Sequence, residues 1–200
     1  MKICFMGTPQ FAATVLNNIL AKHSIDAVYT KPPAPKKRGL KTSVSKVHEL
    51  ALSKNIKTFY PKNFKTPSAV EEFMSQNFDL AIVVAYGLIL PKEVFSATKY
   101  GTINLHASLL PKWRGAAPIE RSLEAGDTQS GVTIMHIAEG LDSGDIIFQE
   151  PISLTQTSTA SELYNEMAKI GSNLLLKTIE KLNNNKPLPR IPQEHNLSTY

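Results

Sequence analysis

An α/β domain with a mostly parallel sheet, ending in antiparallel strands, is the fold class this sequence predicts. Three observations carry it. Short apolar runs alternate with amphipathic stretches through the first 125 residues, one run (Leu80–Tyr86) is almost unbroken, and beyond Gly126 two strands follow each other across a short glycine-bearing connection. Alternation of this kind sets helices between parallel strands. An unbroken apolar strand is one covered on both faces, which implies three layers. A short connection makes the last two strands antiparallel.

In order, Lys2–Met6 reads as a strand, and Phe11, Val15, Leu16, Ile19 and Leu20 then recur at helical spacing. Ile25–Thr30 is the next strand. Ser43 is placed to cap a helix running to Leu52. Thr58–Tyr60 is a short strand, and Thr66 before Pro67 starts a helix that should turn Val70, Phe73 and Met74 inward. After Leu80–Tyr86 come a strand at Gly101–His106 and a helix at Ala117–Ala125, stopped by Gly126. Gly131–Ile137 and Asp145–Gln149 form the antiparallel pair. Thr159 and Glu162 make a capping box for a helix to about Leu182. The polar, proline-containing stretch after it reads as a linker, so residues 1–182 are expected to be the catalytic domain and 183–200 a connection toward a second one.

The chain has 200 residues, 42% hydrophobic and 20% charged, which is the balance of a globular protein rather than a disordered one. No apolar run approaches the roughly 20 residues of a membrane helix, and Lys2–Met6 lacks the apolar core of a secretory signal. The single cysteine, Cys4, excludes an internal disulfide; a cytoplasmic protein without membrane contact is expected. Charge is unevenly placed. Of 22 basic residues, Lys31, Lys36, Lys37, Arg38, Lys41 and Lys46 fall in one acid-free segment, leaving 16 against all 17 acidic residues elsewhere. Pro32, Pro33, Pro35 and Gly39 make that segment a loop rather than a helix face. It is suited to neutralising phosphates, or equally to solubility alone.

Gly7-Thr8-Pro9 occupies the place of a dinucleotide-binding turn but has only its first glycine, so nicotinamide and flavin dinucleotides are rejected. Asn104 and His106 alternate on one strand and project from the same side, while Leu105 enters the core. The loop Gly140-Leu141-Asp142-Ser143-Gly144 exposes a carboxylate between two glycines. Each feature alone fits an ordinary structural role. Together they suit the movement of a carbonyl group between nitrogens. An asparagine amide and an imidazole N–H can stabilise charge on the carbonyl oxygen, and a carboxylate can orient and charge the imidazole. No metal is needed, because a neutral α-amine (pKa about 7.7–8.0) is itself a nucleophile. Spacing does not establish that Asp142 meets His106.

The stretch GTINLHASLLPKWRGAAP at Gly101–Pro118 resembles the signature of the methionyl-tRNA formyltransferases. The resemblance extends to FMGTPQFA near the start, VVAYGLILP at Val83–Pro91 and GVTIMHIAEGLDSGDI at Gly131–Ile146. It implies a three-layer, Rossmann-like formyltransferase fold with Asn104, His106 and Asp142 as catalytic residues. It further implies 10-formyltetrahydrofolate as formyl donor, no metal, and the amine of initiator methionyl-tRNA as acceptor, in a monomer. Ser108, Leu109, Leu110 and Pro111 would line the folate site, with backbone near Val84, Ala85, Tyr86 and Gly87 at the pterin ring. Lys36, Lys37, Arg38 and Lys41 would meet the tRNA acceptor end, Arg38 standing at the family's functional arginine position. Trp113 beside Lys112 and Arg114 could stack on a base or pack over the site loop. Two departures stand out: Lys37 replaces the glycine that precedes that arginine in the family, and family members continue into a second, β-rich domain. Competing readings are formylation of an amino-sugar nucleotide, hydrolysis of the formyl folate, or a noncatalytic tRNA- or folate-binding fragment.

Overall fold

The computed structural model describes residues 1–35 and 42–200, which divide into two compact units at Thr102/Ile103. The RNA-binding expectations at Lys36, Lys37, Arg38 and Lys41 lie outside the described residues.

The first unit is a parallel sheet. Strands β1 (Ile3–Gly7), β2 (Ala27–Tyr29), β5 (Lys57–Phe59) and β6 (Leu80–Val84) lie in the order β5-β2-β1-β6. Every residue of β1 and β6 is buried, so helices cover both faces, as the continuous apolar run at Leu80 predicts. The helices are α1 (Gln10–Leu20), α2 (Lys46–Ser53), α3 (Pro67–Ser75) and the short α4 (Lys92–Phe95). Gly7 is the residue that lets the chain leave β1 directly into α1: a Cβ there would sit 2.7 Å from Ala12 Cβ and 2.9 Å from the Val84 carbonyl. Tyr29 anchors the aromatic core, stacked on Phe59 at 4.7 Å and edge-on to Phe73 at 5.4 Å. Cys4 is fully buried, and burial raises its thiol pKa far above the ordinary value.

Two local expectations are corrected. The cap of α2 is Ser45 rather than Ser43: Ser45 Oγ accepts the His48 N–H at 3.0 Å. Ser43 instead pairs with Ala34, joining β4 (Thr42–Ser43) to β3 (Ala34–Pro35) as a short antiparallel ladder inside the segment read as an open loop. Met74 is 49% exposed, not inward. On α3 the inward position is filled by Phe73, and a residue one step further round the helix is turned by about 100°.

The second unit is antiparallel. Strands β7 (Thr102–His106), β8 (Gln129–His136) and β9 (Ile146–Ser153) follow in that order, the last two forming the expected pair. Pro151 is tolerated because β9 lies at the sheet edge. Helix α5 (Pro118–Glu124) ends before Gly126, which takes φ +68°. Helix α6 (Ala160–Asn183) carries the predicted capping box: Thr159 Oγ1 accepts the Glu162 N–H, and the Glu162 carboxylate accepts the Thr159 N–H at 3.0 Å. It buries Leu163, Met167 and Leu174, and brings Gly171 against Leu105 and Val132. Packing of Leu105 toward α6 turns the alternate residues Asn104 and His106 to the opposite side of β7. The parallel strands β5, β2, β1 and β6 of the first unit and the antiparallel strands β7, β8 and β9 of the second give the α/β class that the sequence predicts. Among the described residues, no helix is long and apolar enough to cross a membrane.

Candidate active site

The site is built where β7 ends. His106, the last residue of that strand, is 6% exposed, and both ring nitrogens face protein atoms. Nε2 lies 2.7 Å from the Trp113 carbonyl, which can only accept, so Nε2 carries the proton. Nδ1 lies 3.5 Å from Asp142 Oδ2. A proton arriving at Nδ1 therefore meets a carboxylate.

Two backbone loops supply these partners. Asp142 sits with φ +45° between β8 and β9, and its Oδ2 also accepts the Gly115 N–H at 2.8 Å. The two flanking glycines serve the loop differently. Gly140 has φ +102°, a conformation a side chain would oppose, whereas Gly144 passes so close to the His136 carbonyl that a Cβ would collide with it. In the other loop Trp113 (φ +58°), Gly115 (φ +88°) and Ala117 (φ +55°) all take positive φ, and the Trp113 indole donates to Asp127 Oδ2 at 2.7 Å. Non-glycine residues with positive φ persist only where surrounding contacts enforce them.

Asn104 lies two residues before His106 and is 7% exposed. Its amide makes no hydrogen bond to any described residue, yet it is not among the buried side-chain groups shut off without a partner, so it remains open to the outside. It is a ready donor for an oxygen brought by a ligand. Ser108, Leu109, Leu110 and Pro111 continue from the strand and include a cis Leu110–Pro111 bond. A buried network holds them: Thr133 Oγ1 donates to the Ser108 carbonyl (2.7 Å) and accepts the Leu110 N–H (3.1 Å), while Gln149 Nε2 donates to the Leu110 carbonyl (2.8 Å). Among the described residues no three His, Cys, Asp or Glu side chains gather as a metal-binding group.

In the first unit, Val84, Ala85, Tyr86 and Gly87 form the turn that leaves β6. Ala85 (φ +46°) and Gly87 (φ +78°) bend it, and Thr8 Oγ1 donates to the Tyr86 carbonyl at 2.8 Å. The Gly7-Thr8-Pro9 turn thus buttresses that backbone. Burial moves the Tyr86 phenol pKa well above its ordinary value.

A family model described as formyl transferase matches residues 1–179. The chain belongs to the formyl transferase family. Among relatives, the methionyl-tRNA formyltransferase of Fusobacterium nucleatum subsp. nucleatum is 48% identical over 180 residues, covering 90% of this chain and 58% of that protein. That of Pseudoalteromonas translucida is 45% identical over 201 residues, covering 100% and 62%. The chain thus spans about three fifths of the length of these relatives. Of solved formyl transferases, phosphoribosylglycinamide formyltransferase from Bacillus halodurans superposes with a TM-score of 0.75 at 22% identity, covering 91% of this chain and 95% of that one. The N-formyltransferase from Helicobacter canadensis, solved with folinic acid and dTDP-3-aminofucose, gives 0.73 at 26% identity, covering 100% and 70%.

Several residues that shape this candidate site carry no sequence signal of their own. The Trp113 carbonyl and the Gly115 N–H act through backbone, which no residue type announces. Arg114, which the sequence sets beside Trp113, is 5% exposed and bonded to Gln193. Gln193 lies in the stretch read as linker. Its only sequence hint is a glutamine between prolines and polar residues.

Proposed function

We propose that this chain carries the formyl-transfer step that moves a formyl group from 10-formyltetrahydrofolate to the amino group of methionine esterified to initiator tRNA. The observation that carries the chemistry is the Asn104 amide, free of partners among the described residues and on the same strand side as His106, whose imidazole faces the Asp142 carboxylate at 3.5 Å. The folate supplies the formyl group. A folate donor is also favoured by the bound folinic acid of the Helicobacter canadensis relative, and the tRNA acceptor by the names of relatives 45–48% identical.

In this reading Asn104 donates its amide N–H to the formyl oxygen as negative charge builds there. His106 has its Nε2–H on the Trp113 carbonyl, so the imidazole ring itself would have to swing from that carbonyl to offer this N–H to the formyl oxygen as a second donor. Asp142 orients the ring and stabilises the imidazolium when Nδ1 takes up the proton released by the attacking amine, a proton that then passes to N10 of the folate as the formyl C–N10 bond breaks. Ser108–Pro111 and the Val84–Gly87 backbone are the proposed folate contacts. The basic segment around Arg38 is the proposed RNA contact, supported by its concentration of charge. Residues 183–200 are proposed to lead from a catalytic domain at 1–182 toward the RNA-gripping part of the enzyme, which would work in the cytoplasm as a monomer.

The test is transfer of labelled formyl from 10-formyltetrahydrofolate to methionyl initiator tRNA, with stoichiometric protein and low salt. Label in the charged tRNA, and none with uncharged tRNA, is expected. Release of tetrahydrofolate without labelled RNA would replace this reading by hydrolysis or small-amine formylation. Deleting Pro33–Lys41 separates acceptors: transfer to RNA should collapse, while transfer to a small amine should survive.

A further inference from the structure

Residues 189–199, expected to be a linker, run across both loops that hold His106. The Pro189 carbonyl accepts from His136 Nε2 at 3.2 Å, and Ile191 pairs with Ile146 through backbone bonds of 2.8 and 3.1 Å. Gln193 then turns inward and is 5% exposed. Its Oε1 accepts from Arg114 Nη2 (2.7 Å) and Nε (3.2 Å), while its Nε2 donates to the carbonyls of Asp142 (2.9 Å) and Gly144 (2.8 Å). Arginine only donates and carbonyls only accept, so the partners themselves fix which end of the amide points where. Further on, Thr199 takes the other loop. Its hydroxyl accepts the Trp113 N–H at 2.9 Å and its carbonyl the Arg114 N–H at 2.9 Å.

Two of these contacts fall on the backbone of the residues that position His106, one on Asp142 and one on Trp113. Both take positive φ, a conformation that needs outside restraint. The buried Arg114 guanidinium has no carboxylate partner among the described residues; its side-chain partners are Gln193 Oε1 and His195 Nδ1, the latter at 3.1 Å. Resting on the formyl-transfer reading, we propose that Gln193 is a positioning residue for the His106–Asp142 pair, with Thr199 as a second fastening on the Trp113 side. The segment thereby holds the imidazole and its carboxylate in register from outside both loops.

Gln193→Glu discriminates this role from simple support of Arg114. The variant keeps an acceptor for the buried guanidinium, and gains a charge partner, but loses both donors to the Asp142 and Gly144 carbonyls. Expected is a melting temperature at least that of Gln193→Met, with kcat reduced about 10-fold or more, toward the roughly 100-fold that a 1 Å misplacement can cost. KM for the folate should stay within about twofold, since the fault lies in the transition state. Thr199→Val, at an exposed residue where folding is not at risk, should lower kcat by a few-fold, about threefold. Wild-type kcat in both Gln193→Glu and Thr199→Val, or losses that merely follow melting temperature across all three variants, would overturn the proposal. A readout independent of turnover is the imidazole ¹⁵N spectrum of His106 at fixed pH. If the unmodified chain transfers formyl to no amine, the enzymatic reading fails, and this spectrum alone decides: displaced His106 signals in Gln193→Glu or Thr199→Val uphold the positioning role, unchanged signals in both remove it.

Discussion

Asp142 is shared between a backbone amide and an imidazole: its Oδ2 accepts the Gly115 N–H at 2.8 Å and lies 3.5 Å from His106 Nδ1. Asp142→Asn keeps the shape and removes the charge that an imidazolium needs opposite it. Single-turnover formyl transfer should fall by about 100-fold or more, the scale of a lost acid–base contribution. Rapid-quench assays with labelled donor measure it, and near-normal transfer would remove Asp142 and His106 from the chemistry.

Asn104→Ala separates catalysis from folding. Since the amide bonds to no described residue, the melting temperature should hold or rise slightly. The kcat should drop about 100- to 1,000-fold, as for loss of an oxyanion donor. A variant with unchanged kcat would leave the buried amide without a catalytic role.

Gly131→Ala tests the frame beneath the Ser108–Pro111 loop. A Cβ there would press on the Glu150 carbonyl and sit 2.6 Å from Leu109 Cδ2. A loss of about 1–3 kcal/mol is expected from overpacking, read as a lower urea midpoint with an unchanged slope. Stability equal to wild type would mean that β9 can shift without cost.

His136 predicts a pH dependence of stability. Burial lowers its pKa from the ordinary 6.5, with the Arg190 charge acting in the same direction. A group whose folded pKa is depressed favours the folded state above the unfolded pKa. That stability should be present above about pH 6.5 and be lost progressively as pH falls below it. His136→Gln should flatten this part of the profile in urea titrations between pH 5 and 8. An identical slope in the variant would assign the acid sensitivity elsewhere.

Local patterns made much of the molecule legible. The capping box at Thr159 and Glu162, the proline start of α3, the stop at Gly126 and the continuous apolar run of β6 all act over a few residues, and each appears where its pattern places it. The errors were local competitions: Ser43 and Ser45 are both competent caps, and only the β3–β4 ladder takes Ser43 away. The alternation of Asn104, Leu105 and His106 was readable because a strand has a period of two.

By itself, then, the sequence determined the strand and helix types, the shared face of Asn104 and His106 and the family signature, because each rests on short-range periodicity or residue chemistry; the Asp142 carboxylate, expected to be exposed, is instead only 18% exposed. Tertiary structure decided that Asp142 reaches His106, that the Trp113 carbonyl takes the other ring nitrogen, and that a stretch resembling a linker clamps both loops through Gln193 and Thr199. Those contacts join residues 7 to 86 positions apart, several through backbone atoms that every residue possesses, so no side-chain pattern could have declared them.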